Sequence, residues 1–530
     1  MKKVIVADPI SKKGVELLKA QEGFEVIEAY GSTHEQIKEL AKDASAIIVR
    51  SETKINLEVL ECGKNLKALG RAGVGVDNID VKAATDKGIV VMNTPTGNTI
   101  ATAELTFTHI LCGTRPIPQA NASMQAGIWD RKTFKGSELL NKTLSILGMG
   151  RIGTEVAKRA QAFNMKVLAY DPFMNKAMAE SLGIEIVELE EAITRADYIT
   201  IHMPLVEATK YMLDEKAFAK MKDGVRVFNC ARGGIIKESA LIEALKSGKV
   251  AAAGLDVYED EPVGKDSPLL GISNLVLTPH LGASTAEAQE SCGIEVAELI
   301  RDVLVSGAIK NSVNAPSADA DTIRKMAPYI TLGEKLGTVI QQISPDRISK
   351  LAIKYFGSLA EKDNTLVSLA IQKGYLKKIS ATVNDVNAPS KLKSLGIEVE
   401  KSTSSVVTDY TDVIELTATC EDGNSFSVSG TVLGKEAHSK VLSINGQDIE
   451  VIPQNCLLLL NNDDVPGMVG KIGSLLGDSS CNIANMTVSR NAETNKALAI
   501  YELDEVPNAE VIEKLLSIDT ITNVKVVDLA

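Results

Sequence analysis

Three short stretches place chemically versatile side chains directly behind apolar, β-branched runs. In "LSILGMGRIGTEVAKRA", Gly148, Gly150 and Gly153 fit G-x-G-x-x-G between one such run and a helical pattern. A pyrophosphate needs that order: one glycine for the turn, one for close backbone approach, one for packing helix on strand. The phosphates then meet N–H groups left unpaired at the helix start. The next apolar run, "KVLAYDP", ends in Asp171, placed to accept from ribose hydroxyls. A carboxylate there repels a 2′-phosphate, so the reading is NAD rather than NADP. The alternative is a helix-start turn with no ligand.

The other two stretches carry acid–base groups and a cation. "VRVFNCARGGIIKE" ends a β-like run in Arg232, followed by Gly233 and Gly234. The guanidinium offers a bidentate fork for a carboxylate, and the glycines leave room above it. "LVLTPHLGAST" puts His280 behind the last strand of the series, at the edge where α/β sheets bind ligands. Imidazole suits proton transfer near neutral pH, with a structural histidine as the alternative. "GLDVYEDEPV" offers Asp256, Glu259, Asp260 and Glu261 nearby, and the turn before Pro262 favours Glu261 as partner of His280. Of the other histidines, His34 and His438 sit in polar stretches facing solvent. His109 reads as core or interface, and His202 in "TIHMP" as a supporting residue at the cofactor edge.

These groups need a parallel sheet with helices on both faces, which is what the chain predicts. Short Val/Ile runs alternate with helical patterns through residue 95, without a glycine fingerprint. One long helical stretch from "GNTIATAEL" to "ASMQAG" follows, then six strands from "TLSILGMG" to "LVLTPHLG", a complete dinucleotide-binding sheet. A helix near 285–306 leaves that sheet, and "SVNAPSADAD" reads as a linker. Residues 320–452 form a mixed region with a hairpin at the Asn-Gly of "VLSINGQDIEVI". Residues 453–530 follow a βαββαβ, ferredoxin-like order. The pentapeptide "VNAPS" occurs at 313–317 and 386–390 without wider periodicity, read as coincidence or as paired turns.

Composition bounds the rest. A chain of 530 residues needs several cores, and 45% apolar with 24% charged residues is ordinary for a globular protein. A net charge of -12 argues against a nucleic-acid partner. Seven scattered cysteines without C-x-x-C suggest reduced thiols and no zinc site. The first apolar run stops at Asp8, too early for a signal peptide, and no run is long enough to span a membrane. The expectation is a cytoplasmic protein.

The motifs "LGMGRIG" with "YDP", "NCARGG", "LDVYEDEP" and "TPHLGAST" resemble the D-isomer-specific 2-hydroxyacid dehydrogenases. "RAGVGVDNID" and "VMNTPTGN" extend the resemblance toward the N-terminus. It implies a Rossmann domain (98–284) inserted in a flavodoxin-like substrate domain (1–97 and 285–316). By the same resemblance, Arg232, Glu261 and His280 are catalytic. Hydride passes reversibly between substrate and NAD while His280 handles the hydroxyl proton. Cofactor contacts carry over to Arg151, Ile152, Asp171, Cys230, Ala231, Asp256 and the turn His280–Ala283, with Leu281 and Gly282. Two family threonines are Val74 and Met203 here, so only backbone contacts survive at those positions. Arg50 and Arg71 match a pocket for a phosphorylated 2-hydroxyacid, and Arg131 matches an arginine that reaches across a dimer.

The remaining regions resemble regulatory parts: an α+β intervening domain (317–452) and an ACT domain (453–530). The resemblance implies L-serine as effector at Asn462, Asp464 and Asn482, and a homotetramer. Carboxylate and amides suit an amino acid, and turn or cap residues are the alternative. Two other functions stay open: a dehydrogenase of 2-hydroxyglutarate or another small 2-hydroxyacid, and an NAD-sensing binding protein.

Overall fold

The Val- and Ile-rich runs at the start of the chain form a wholly parallel sheet in the computed structural model. The structure describes residues 1–530 except 175, 345, 346, 407, 435, 492 and 493, and the side chains of 176 and 178. Strands β1 (Lys2–Val6), β2 (Phe24–Glu28), β3 (Ala44–Val49), β4 (Ala68–Arg71) and β5 (Val90–Asn93) lie in the order β2-β1-β3-β4-β5. That is the flavodoxin-like doubly wound order. Helices cover both faces, so β1 and β3 read as continuous apolar runs instead of alternating ones. The Ala286–Ser306 helix returns to this sheet from far along the sequence. Its Val296 and Ile300 pack against Gly70 of β4, where a Cβ would lie 2.6 Å from Val296 Cγ2.

The second sheet is also parallel: β6 (Thr143–Leu147), β7 (Lys166–Tyr170), β8 (Glu185–Ile186), β9 (Tyr198–Ile201), β10 (Val225–Asn229), β11 (Val250–Leu255) and β12 (Leu275–Leu277). Their order, β12-β11-β10-β9-β6-β7-β8, is that of a Rossmann sheet, with the switch point between β6 and β9. The six expected strands are present, and β8 is a seventh. It pairs only with Leu168 and Ala169, too short a run to leave a period in the sequence. The single long helix expected after residue 95 is two helices, Thr99–Thr114 and Ile117–Gln125. Arg115 between them is extended (φ -125, ψ 112), because the residue before a proline is crowded out of the helical region.

Beyond residue 347 the chain forms two mixed or antiparallel sheets. The first contains β13 (Ile348–Gly357), β14 (Glu398–Ser404), β15 (Asp412–Cys420), β16 (Ser425–Leu433), β17 (His438–Ile444) and β18 (Gln447–Val451), in the order β14-β13-β15-β16-β17-β18. Asn445 (φ 50) and Gly446 (φ 74) turn β17 into β18, as a two-residue type I′ hairpin requires. The second contains β19 (Cys456–Asp463), β20 (Ile483–Asn491), β21 (Lys496–Leu503) and β22 (Ile521–Asp528), in the order β20-β21-β19-β22, with helices after β19 and β21. This is the expected ferredoxin-like βαββαβ unit.

The two C-terminal sheets share a core. On β19, Cys456, Leu458 and Leu460 face their own helices, while Leu457 and Leu459 join the core of the preceding sheet. Gln342, in the long Ala320–Ile343 helix, both donates to and accepts from the backbone of Asp528, each at 2.9 Å. Two covered faces explain why "CLLLL" is an unbroken apolar run.

Both "VNAPS" copies bond to the segment leading into β5. Asn314 of the first donates to Ile89 O (2.9 Å) and accepts from Val91 N (2.8 Å). The expected linker is therefore stitched to the first sheet, with a bridge from Ser312 to Met92. Around the second copy, Asn384 donates to Gly88 O (2.7 Å), Asn387 to Asp86 O (3.3 Å) and Ser390 to Asp86 Oδ1 (3.1 Å). Asn387 is fully buried and also accepts from Asn384 N. Asn387→Ala strands these groups and is expected to cost about 1–3 kcal/mol in urea unfolding of the full chain. A wild-type midpoint would contradict this account of the contact.

Candidate active site

The carboxyl ends of the two parallel sheets face each other, and the singled-out residues line the gap. Arg50 follows β3, Arg71 ends β4 and Val74 follows it; Gly148, Asp171, Met203, Cys230, Asp256 and His280 follow β6, β7, β9, β10, β11 and β12. Arg232 crosses the gap, with Nε 3.2 Å from Asp77 Oδ2.

The glycine turn after β6 is sterically explicit. At Gly148 (φ 100) a Cβ would meet His202 O at 2.6 Å, and at Gly153 it would meet Gly148 O at 2.2 Å. At Gly150 it would meet nothing within 4 Å, so the open space lies above the second glycine. Gly150 begins the Arg151–Ala162 helix without any side-chain cap, leaving its first N–H groups for a ligand. Arg151 is exposed and Ile152 half-buried there. Asp171 accepts from Met149 N and Phe173 N, each at 2.8 Å, which fixes its carboxylate at the rim with acceptor capacity left over. An uncapped helix start, open space and a carboxylate at the next strand end fit NAD.

His280 Nδ1 stands 2.7 Å from Glu261 Oε2. The carboxylate can only accept, so Nδ1–H donates and Nε2 is left free. The Glu261 hydrogen bond is the main cause that raises the His280 pKa; burial opposes it, the charges of Glu261 and Asp256 assist, and Arg232 opposes. Burial pushes Glu261 up, but His280, the Tyr258 N–H and Arg232 outweigh it and hold the carboxyl below its ordinary range. Of the other acids, Glu259 exchanges backbone–carboxylate bonds with Glu238 (2.7 and 2.6 Å) and faces away from His280.

The turn after β12 hangs on Asp256, which is 1% exposed. Its Oδ1 accepts from Leu281 N (2.7 Å) and Thr278 Oγ1 (2.6 Å), and its Oδ2 from Gly282 N (2.9 Å). Ala283 follows, half-buried. Gly233 and Gly234 have different reasons to be glycine. A Cβ on Gly233 would fall 1.7 Å from Tyr258 O, whereas Gly234 needs its positive φ of 77. Cys230 is buried, which pushes its thiol up to about 12; with Ala231 it offers backbone rather than sulfur chemistry.

The cations gather beside this pair. Burial, reinforced by Arg232 and Arg50, pushes Arg71 down to about 10, with Asp77 opposing. Arg71 Nε is buried with no hydrogen-bond partner. A guanidinium so placed, with Arg232 and Arg50 close by, has the charge that suits an anion. Arg131 is not brought to the group: it lies on an exposed loop beside Trp129, itself 76% exposed. Desolvation pushes the half-buried His202 down to about 3, a neutral support behind Gly148, and Met203 packs at the same turn. His34 and His438 face solvent beside Glu58 and Glu436. Asp77, Tyr258 and Thr278 are the positions the sequence left unremarked. Each lies inside a quoted motif, but its partner lies on another strand, where spacing carries no signal.

In the C-terminal unit, Asn462 and Asp464 border a cavity of about 340 Å³, with Arg490 Nε 2.6 Å from Asp464 Oδ2. Asn482 is not brought to them: it precedes β20 at the Leu503 end of β21, whereas β19 reaches Asp464 at the Lys496 end. Asn482 donates instead to Asp504 (2.7 Å). Among the described residues, no group of three or more His, Cys, Asp or Glu could hold a metal ion, and no helix is long and apolar enough to cross a membrane.

The fold and site define an NAD-dependent 2-hydroxyacid dehydrogenase. Residues 107–282 match the model of the D-isomer specific 2-hydroxyacid dehydrogenase NAD-binding domain, and 325–445 that of the D-3-phosphoglycerate dehydrogenase intervening domain. The chain belongs to the D-3-phosphoglycerate dehydrogenase family. It is 43% identical to that enzyme of Methanocaldococcus jannaschii over the whole of both chains. Identity to the Bacillus subtilis enzyme is 38%, again over all of both. Among solved structures, a glyoxylate reductase from Paecilomyes thermophila is similar (TM-score 0.54, 32% identity, covering 59% of this chain and 98% of that one). So is an Aquifex aeolicus D-lactate dehydrogenase complexed with NAD and lactic acid (TM-score 0.52, 28% identity, 60% and 100% covered).

The glycine geometry yields a paired prediction. Gly153→Ala overpacks the turn and is expected to lower stability by about 1–3 kcal/mol in thermal unfolding. Gly150→Ala is expected to keep the wild-type Tm but weaken NADH binding, by fluorescence titration, about tenfold, or roughly 1.4 kcal/mol. Unchanged NADH affinity in Gly150→Ala would contradict the placement of the pyrophosphate.

Proposed function

We propose that this chain oxidises D-3-phosphoglycerate to 3-phosphohydroxypyruvate with NAD, the first step of L-serine biosynthesis. The observation that carries the reading is the His280–Glu261 pair beside Arg232 and Arg71, whose Nε is buried without a hydrogen-bond partner. Arg232 binds the substrate carboxylate through its fork. His280 accepts the C2 hydroxyl proton at Nε2, and Glu261 stabilises the imidazolium through Nδ1. Bound NAD supplies the hydride acceptor. Gly148, Gly150, Gly153, Arg151, Ile152 and Asp171 hold its phosphates and ribose; Val74, Met203, Cys230, Ala231, Asp256 and Leu281–Ala283 line its nicotinamide side. Arg50 and Arg71 take the substrate phosphate, and the exposed Arg131 serves the site of a second copy.

The domain division supported by the sheets is 1–97 with 285–316 for substrate, 98–284 for NAD, 317–452 intervening and 453–530 as an ACT module. L-Serine binds the last of these, and the separation of Asn482 from Asn462 and Asp464 suits a site completed by two copies. The assembly is a cytoplasmic homotetramer.

The deciding experiment compares NADH oxidation with phosphohydroxypyruvate, 2-oxoglutarate and hydroxypyruvate. Phosphohydroxypyruvate is expected to give the highest kcat/KM, and His280→Ala to lower kcat by roughly 10²–10⁴-fold. Preference for another acid, or wild-type turnover in the variant, would overturn the assignment. L-Serine titration is expected to lower the rate of the full chain. No change in rate would remove the effector.

A further inference from the structure

His280 has a left-handed backbone (φ 55), unusual for a residue with a side chain, so its surroundings must hold it there. The holding bonds are those from Leu281 N and Gly282 N to Asp256. Asp256 is in turn a buried carboxylate whose orientation depends on its remaining donor, Thr278 Oγ1 at 2.6 Å.

The chain of contacts runs one residue further. His109, on the Thr99–Thr114 helix, has Nε2 2.9 Å from Thr278 Oγ1. A hydroxyl has one proton, and the acceptor-only carboxylate of Asp256 takes it, so Thr278 accepts from His109. His109 is therefore the Nε2–H tautomer. Its Nδ1 is buried without a partner. Burial lowers its pKa, against the pull of Asp256, in keeping with a neutral ring. The fold makes room for this ring: a Cβ on Gly254, inside β11, would lie 2.6 Å from His109 Nδ1. An orphaned buried nitrogen is unfavourable, and a leucine at 109 would fill the space without one. The same helix holds the turn a second time, through Thr102 Oγ1 to Gly282 O at 2.9 Å.

We propose that His109 and Thr278 are positioning residues for the dehydrogenase reaction: a buried hydrogen-bond chain that orients Asp256 and, through it, the turn presenting His280. The inference rests on the reading that His280 handles the substrate proton. His280 is faced by Glu261, Asp256 and Arg232. Loosening the turn weakens its pairing with Glu261, lowers its pKa, and moves the acid limb of the oxidation rate to lower pH.

The test uses the full chain with Thr278→Val, which keeps shape and removes the hydroxyl, and Thr278→Ser, which keeps the hydroxyl. Thr278→Val is expected to lower kcat by about 10–100-fold, the usual consequence of a small misplacement, and to shift the acid limb downward. Thr278→Ser is expected to recover most of the turnover and the wild-type pH profile. Wild-type kcat and pH profile in Thr278→Val would overturn the proposal. So would equal losses in both variants with an unmoved pH profile, which would mark a packing role only. Where Thr278→Val fails to fold, His109→Gln, which keeps a donor, against His109→Leu decides in the same way, and equal turnover of the two overturns it. A wild-type chain inactive on every 2-oxoacid would sink the dehydrogenase reading instead, a separate outcome.

Discussion

The 2.7 Å contact between His280 Nδ1 and Glu261 Oε2 is the interaction on which the site depends. It settles which imidazole nitrogen is free, and it raises the affinity of that ring for a proton. Everything around it serves to bring these two side chains together from the ends of different strands. β11 delivers Asp256 and the loop to Glu261, β12 delivers the turn of His280, and Asp256 ties the two. Arg232 arrives from β10 and reaches toward the first sheet, where Asp77 meets it. A parallel sheet supplies this convergence because every strand ends at the same edge.

Most of that edge was legible in the sequence. A glycine fingerprint, an acid after the next strand, and Arg232, Glu261 and His280 behind three further strands all have local context that spacing can carry. The strand count and the helix stretch after residue 95 were less legible. β8 has two residues, and Pro116 acts through the residue before it, so neither leaves a periodic trace. What spacing cannot carry is a pairing across the fold. Asp77 against Arg232, Thr278 against Asp256, and both "VNAPS" copies against the turn before β5 are of this kind. The two glycines after Arg232 look alike in sequence, yet one answers to Tyr258 O and the other to its own dihedral.

The C-terminal half shows the same limit at larger scale. The βαββαβ pattern of β19–β22 is local and was read correctly, but its second buried face was not. Leu457 and Leu459 belong to a core built largely by residues 326–451, so the last sheet is bound to the intervening one rather than tethered beside it. The "VNAPS" contacts then join the intervening region to the first sheet. A change at the far end of the chain thus has a packed route to the substrate side, the kind of physical continuity that coupling between sites uses.

Glu261 holds His280 as a proton acceptor stronger than an ordinary histidine. NMR titration of the five histidine rings tests it directly. His280 is expected to titrate above the ordinary value of about 6.5 and to move down in Glu261→Gln. The half-buried His202 is expected to stay neutral far below that pH. A His280 resonance titrating at or below the ordinary value, unmoved by Glu261→Gln, would contradict it.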